Sequence, residues 1–323
     1  MPSAKDAILS AHSPEARERW EEMQSRCPTR GAFDDFDLVT GLSHVQQLQC
    51  EVLVTSVDNE DQFGAILPFR RIGPFRDAIL PRFCPTSPVL IPTDAPVAVR
   101  SAAIESALAC MARRYHRVSL HLTADVTPLV SNDAWGSTPL YTYRLDLTKL
   151  TADITATWSA GTRRLYRKNV ESYRVEETAD TATAVQLCWN SYARAGRPLP
   201  IDQRAMSEFA HQPPGDVSTR TFLATNRDSN VSEAGLVVLQ HGGMAFYWIA
   251  GSMPGPGMTV MIGHVLQVLR ESGLTDFDFL GANTPSIAEF KRRFGPTLHE
   301  YTRMASSRSW LLDSLLAARN RFR

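Results

Sequence analysis

Apolar and polar positions along this chain alternate between a period of two and a period near 3.6, the mark of interleaved strands and helices. The sharpest strand signal is Asp276-Phe277-Asp278-Phe279-Leu280-Gly281-Ala282-Asn283, where two phenylalanines alternate with two aspartates and a glycine closes the run. It predicts a short strand with a buried face and a polar one. Asp278 lies toward its C-terminal end, where α/β folds commonly open a ligand crevice. Residues 287–295 follow as a brief helical turn carrying the basic triplet Lys291-Arg292-Arg293.

Upstream, Ser13 and Pro14 have the cap and first-turn chemistry to open a charged amphipathic helix over 14–26. Residues 48–57 read as a strand, 58–61 as a turn and 64–69 as the return strand. A proline-punctuated stretch over 81–96 precedes Ile104, Ala107, Leu108, Met111 and Tyr115 at helical spacing. Strands are expected at 118–122 and 140–147. The second half repeats this order. Strands at 219–225, 235–240 and 244–249 lead through a Gly/Pro loop at 251–257 to a helix with Met258, Met261, Ile262, Val265 and Leu269 on one face. Strands at 277–280 and 298–304 close it. Two helices are expected between, over 154–170 with Ile154, Trp158 and Leu165 as a seam, and over 181–195 with Val185, Cys188, Trp189 and Tyr192.

This repetition of element order predicts a duplicated fold with its boundary near residue 150. The expected domains are 1–150, 151–305 and a C-terminal amphipathic helix at 306–323. That tail pairs Trp310, Leu311 and Leu312 with Arg308, Arg319, Arg321 and Arg323. It suits docking on its own domain or a partner subunit, with peripheral contact to a membrane as the alternative.

Composition narrows the classes. The 323 residues are 43% hydrophobic and 21% charged, an ordinary globular balance. Lys plus Arg and Asp plus Glu both number 34, so no global field draws the protein to DNA, and any polyanion site must be a local patch. Five scattered cysteines without a C-x-x-C or H-E-x-x-H spacing argue for a reduced interior and no metal site. The N-terminal residues lack an apolar core of signal-peptide length, and no run approaches about 20 apolar residues, so a cytoplasmic protein without a transmembrane segment is expected.

Three motifs occur in a telling order: Arg163-Arg164-Leu165-Tyr166-Arg167-Lys168, Asp278-Phe279-Leu280-Gly281 and Phe290-Lys291-Arg292-Arg293-Phe294-Gly295. Together they make the chain, over roughly residues 35–305, resemble the Fem-type and related tandem-GNAT acyltransferases. The resemblance implies an α/β (α+β) chain of two GNAT-like domains, each a mixed, mostly antiparallel sheet flanked by helices. It implies transfer of an acyl or aminoacyl group to an amine on a small molecule or peptide. No cofactor would be tightly bound; acyl-CoA is the first expectation for the co-substrate and aminoacyl-tRNA the alternative, with tRNA then a partner. A non-catalytic binding module on the same scaffold is the rival of another class.

Each candidate residue carries a stated chemistry. Asp278 could act as a general base or orient the attacking amine, or it could pin the loop by pairing with Arg292 or Arg293. Tyr247 could protonate a leaving group, and Lys291 could neutralise phosphate or oxyanion charge. Gly255, Gly257, Met258 and Thr259 could offer N–H groups to a pyrophosphate at a helix N-terminus, although Pro254 and Pro256 have none to offer. Arg163, Arg164, Arg167 and Lys168 gather on one side of a helix and could hold a phosphorylated donor, an acidic acceptor or a tRNA backbone. Asn283 and Arg293 complete the expected substrate contacts.

Overall fold

The protein is described by a computed structural model covering residues 3–27, 31–124, 126 and 135–321. In chain order the elements are β1 (Ala4–Ser10), α1 (Pro14–Ser25), α2 (Phe36–Val45), β2 (Gln49–Val57), β3 (Glu60–Ile72), β4 (Phe75–Ala78), β5 (Val89–Leu90), α3 (Val97–Arg114) and β6 (Arg117–Leu122). They continue with β7 (Gly136–Asp146), α4 (Ala160–Asn169), β8 (Tyr173–Thr178), α5 (Thr181–Arg194), α6 (Gln203–His211), β9 (Ser218–Asn226), β10 (Ser232–His241) and β11 (Met244–Ser252). The last are α7 (Gly257–Glu271), β12 (Asp276–Asp278), α8 (Pro285–Arg292), β13 (Thr297–Ser307) and α9 (Trp310–Arg321).

Two compact units emerge, one of Met1–Leu140 with Glu300–Arg323 and one of Tyr141–His299. In the first, β1, β2, β3 and β4 are antiparallel neighbours, β5 also pairs with β3, and β6 joins β4 in parallel. Ser13 caps α1 by accepting the Ala16 N–H at 3.2 Å, as its sequence foretold. The β2–β3 turn is made by Asp58 and Asn59 at φ 53° and 67°, the left-handed pair of a tight hairpin. Residues 300–305, assigned from sequence to the second half, group with the first unit. The reason is a ladder: β13 pairs with β6 from Thr302–Leu122 to Ser307–Arg117. Leu312 and Leu316 of α9 are buried, whereas Trp310 is 73% exposed. Arg323 lies outside the described residues.

The second unit runs β7-β12-β11-β10-β9-β8, antiparallel throughout except for the parallel pair β11–β12. α7 covers one face, burying Met258, Met261, Ile262, Val265 and Leu269 with Phe222, Leu236, Val238 and Phe277. α5 packs against β10 and β11, and its backbone comes very close. A Cβ on Gly251 would stand 2.3 Å from the Cys188 Cα and N, and one on Gly235 2.6 Å from the Ala184 Cα. Only glycine fits there.

The helix expected over 154–170 starts at Ala160, after a Ser159 cap whose hydroxyl accepts the Thr162 N–H. Ile154 and Trp158 are buried before the helix rather than on it, and Leu165 is 40% exposed. Tyr166 takes the anchoring role, its ring edge-on to Trp158 at 5.3 Å. The overall class is as expected, a mixed α/β architecture of sheets flanked by helices.

Candidate active site

The parallel ladder between β11 and β12 is short. It runs from Met244–Asp276 to Phe246–Asp278 and stops, while β11 continues to Ser252 against β10 alone. Register slips where Val237 faces Ile249 and Val238 faces Tyr247, so Trp248 is an extra, bulged residue on β11. Beyond β12 the chain keeps to β7 instead. Phe279 N–H donates to Tyr143 O at 2.8 Å and Ala282 N–H to Tyr141 O at 2.8 Å. Leu280 and Gly281, at φ 50° and 54°, form the turn between.

Asp278 and Lys291 build that turn. Asp278 is 2% exposed. Its Oδ1 accepts from the Thr142 hydroxyl at 2.5 Å and from the Leu280 N–H at 2.8 Å, and its Oδ2 pairs with Arg144 Nε at 2.9 Å. The expected partners of this carboxylate, Arg292 and Arg293, pair with Glu289 instead. Lys291, on α8, is 6% exposed and donates to Leu280 O and, at 3.0 Å, to Gly281 O. Burial pulls its ammonium down to about 8, against the opposing pull of Asp278. Its Nζ sits 5.3 Å from the centre of the Tyr247 ring, a cation–π distance. Tyr247 is half-buried, its hydroxyl 3.2 Å from Met258 Sδ, and desolvation pushes its phenol above the ordinary range. Phe279, Phe294, Phe290 and Trp158 stack edge-on or face-on behind them, with Trp158 and Phe294 4.9 Å apart. The three residues expected to do chemistry are therefore neighbours around one turn.

The Gly/Pro loop delivers the chain into α7. The first helical bond runs from Val260 N–H to Pro256 O at 3.1 Å, so the N–H groups of Gly257, Met258 and Thr259 precede it. No side chain caps this helix. Arg194 and Ser191, on α5, both donate to Ser252 O. A residue missed from sequence stands on the other side. Glu233 is skipped where β10 pairs with β9, a bulge between Ser232 and Ala234. Its Oε2 accepts the Tyr173 hydroxyl at 2.5 Å and lies 3.9 Å from the position a Cβ would take on Gly255. Tyr173 also abuts Gly257, and burial with the adjoining carboxylate pushes its phenol up to about 12. Nothing in the local pattern signals this pair, since the bulge that aims Glu233 depends on the register of two strands.

The four cations of α4 surround a hollow of about 490 Å³ lined by Ala160, Arg163, Arg164, Arg167 and Lys168. Arg167 pairs with Asp153 at 3.4 Å; Arg164 and Lys168 are exposed and make no ion pair among the described residues. Asn283 is exposed, and its Oδ1 accepts the Tyr141 N–H at 2.8 Å. Arg293 pairs with Glu289 at 3.2 Å and its carbonyl accepts the Ser159 N–H, which anchors the start of α4. Among the described residues no group of three or more His, Cys, Asp or Glu is placed to hold a metal ion, and no helix is long and apolar enough to cross a membrane.

Strand order, the parallel pair that parts after three rungs and the loop leading into α7 together define a GNAT-like unit. Solved structures bear this out over the whole chain. FemX matches with a TM-score of 0.60 at 13% identity, covering 92% of this chain and 96% of its own. L-PGS from Bacillus licheniformis matches with a TM-score of 0.57 at 12% identity, covering 95% and 96%. The GCN5-related glucosamine N-acetyltransferase region of a fungal multi-domain GH3 β-N-acetylglucosaminidase matches at 0.51 and 12%, covering 94% of this chain and 38% of that one. No protein-family model and no curated protein sequence matches. The chain thus has the GNAT-like, Fem-type acyltransferase fold.

Proposed function

We propose that the second unit transfers an aminoacyl group to an amine along the unpaired side of β11, with aminoacyl-tRNA as donor. The observation that carries this reading is the parallel ladder that ends at Phe246–Asp278 beside the buried Lys291. Backbone N–H groups of residues 247–251 that point away from β10 would receive the carbonyl oxygen and bear the charge it develops. The amine nitrogen attacks the carbonyl carbon, the C–N bond forms and the ester C–O bond breaks. The ammonium proton leaves with the departing ribose oxygen. Positioning does most of the work. Lys291 supplies positive charge near the oxyanion, and Tyr247 walls the site. Asp278, with three donors already on it, sets the Leu280–Gly281 turn on which Lys291 rests.

The α4 cations favour a polyanionic carrier, and the resemblance to Fem-type proteins, matched by the fold likeness to FemX, favours the aminoacyl donor. Acyl-CoA is the second reading, favoured by the likeness to a glucosamine N-acetyltransferase region. Radiolabelled transfer separates them. Purified protein is offered a charged tRNA pool or acetyl-CoA with a panel of primary amines. The expected result is transfer from tRNA above the protein-free rate, falling about tenfold or more in Lys291→Met. Transfer from acetyl-CoA alone would establish the second reading, and no transfer from either donor would leave only a binding module.

A further inference from the structure

We propose that Glu233 is a specificity-determining residue that bars diphosphate-bearing donors from the loop ahead of α7. The inference rests on the reading of the second unit as an acyl-group transferase, and it names which donor chemistry that unit refuses.

A loop rich in glycine before a helix attracts phosphate through bare N–H groups and the positive end of the helix dipole. Here three features oppose that. Pro254 and Pro256 remove two of the donors such a loop would offer. Arg194, a cation bordering the loop, gives its guanidinium to Ser252 O and Ser191 Oγ. Most directly, a carboxylate belonging to the protein already borders this loop, beside Gly255. The bulge between Ser232 and Ala234 takes Glu233 out of strict alternation, and the Glu233 Cβ lies 3.5 Å from where Gly257 would carry one. Its Oε2 is held by the Tyr173 hydroxyl beside Gly255. Tyr173 is itself 5% exposed and packed into the core, so the carboxylate cannot swing clear without breaking a charge-assisted hydrogen bond. An incoming diphosphate would meet a like charge at close range in partly desolvated surroundings, which is strongly repulsive. A donor whose reacting end is an aminoacyl ester brings no diphosphate to this loop and avoids the clash, while its backbone phosphates remain free to reach cations elsewhere.

Calorimetric titration of the full chain with CoA, and separately with inorganic pyrophosphate, tests the proposal without requiring turnover. Glu233→Gln keeps the shape and an acceptor for Tyr173 while removing the charge. It should bind both ligands about tenfold or more tightly than the wild type. Glu233→Ala is a second variant, read in the same way should the first fold poorly. Glu208→Gln, an exposed carboxylate on α6, should change nothing. Equal affinities in wild type and both Glu233 variants, or tighter binding by the wild type, would overturn the proposal. Because binding is read alone, a gain in affinity with no transfer from any donor would sink the transferase reading and leave the role of Glu233 standing.

Discussion

Asp278 and Lys291 look interchangeable with catalytic residues in the sequence, yet each spends its polar atoms on one turn. Asp278→Asn keeps an acceptor for Leu280 but turns an amide toward Arg144. It should lower stability by about 2 kcal/mol, read from the urea midpoint, and Arg144→Ala in that background should cost less than it does alone. Lys291 gives a pH signature. Below about 8 it is protonated both folded and unfolded; between about 8 and 10.5 only the unfolded chain holds the proton. Stability from this group therefore rises with pH across that window, by roughly 3 kcal/mol at most. Denaturant midpoints measured from pH 7.5 to 10 should show that rise in the wild type and lose it in Lys291→Met. Parallel slopes in the two proteins would refute the burial of the ammonium. Sequence alternation correctly placed Phe277 and Phe279 in the core. It could not tell that the opposite face is covered too, because Thr142 and Arg144 arrive from 136 and 134 positions away.

Among the elements, α5 and β11 meet backbone to backbone. Gly251→Ala would drive a methyl group into the Cys188 main chain, so a loss of 3 kcal/mol or more is expected, on the order of severe overpacking. Thermal denaturation would register it, and an unchanged midpoint would mean that α5 can slide. On α4, each of Arg164→Ala and Lys168→Ala should weaken tRNA binding. Each should also flatten the plot of log affinity against log salt by about 0.7 to 0.9 if it meets a phosphate. Unaltered slopes would reassign α4 to an ordinary solvated face. The helix was legible as a basic cluster, but its start was not. Ile154 and Trp158 keep helical spacing with Leu165, and only the Ser159 cap and the Arg293 carbonyl on its N–H reveal that the first two belong to a separate buried segment. β1 and β8 escaped the periodicity reading because their half-buried patterns alternate weakly, whereas α2 and α6 are too short for their apolar faces to stand out from the flanking loops.

For the whole molecule, the repeated element order was sufficient to anticipate a tandem fold, since duplication imposes a long-range regularity that survives loss of identity. It did not reveal that residues 302–305 pair with β6, because strand partners are chosen by three-dimensional register. Of the five cysteines four are buried and Cys50 is half-buried. Burial pushes the Cys50 and Cys188 thiols up to about 12. At pH 8 the native protein should react with about one equivalent of a thiol reagent or fewer over minutes, and with five once denatured. Rapid titration of several thiols in the native state would mean that the packing over them opens readily.

The clasp of Asp278 by Thr142 and Arg144 also bears on when the candidate site can assemble during synthesis. These contacts join the opening strand of the second unit to nearly its last, so they close a long loop and raise contact order. On the ribosome, the turn that seats Lys291 cannot form until α8 has left the exit tunnel. Every earlier strand of the unit can pair first. The candidate site is thus among the last parts of its unit to be born, and a nascent chain stalled before residue 291 would display a nearly complete sheet with that turn still open.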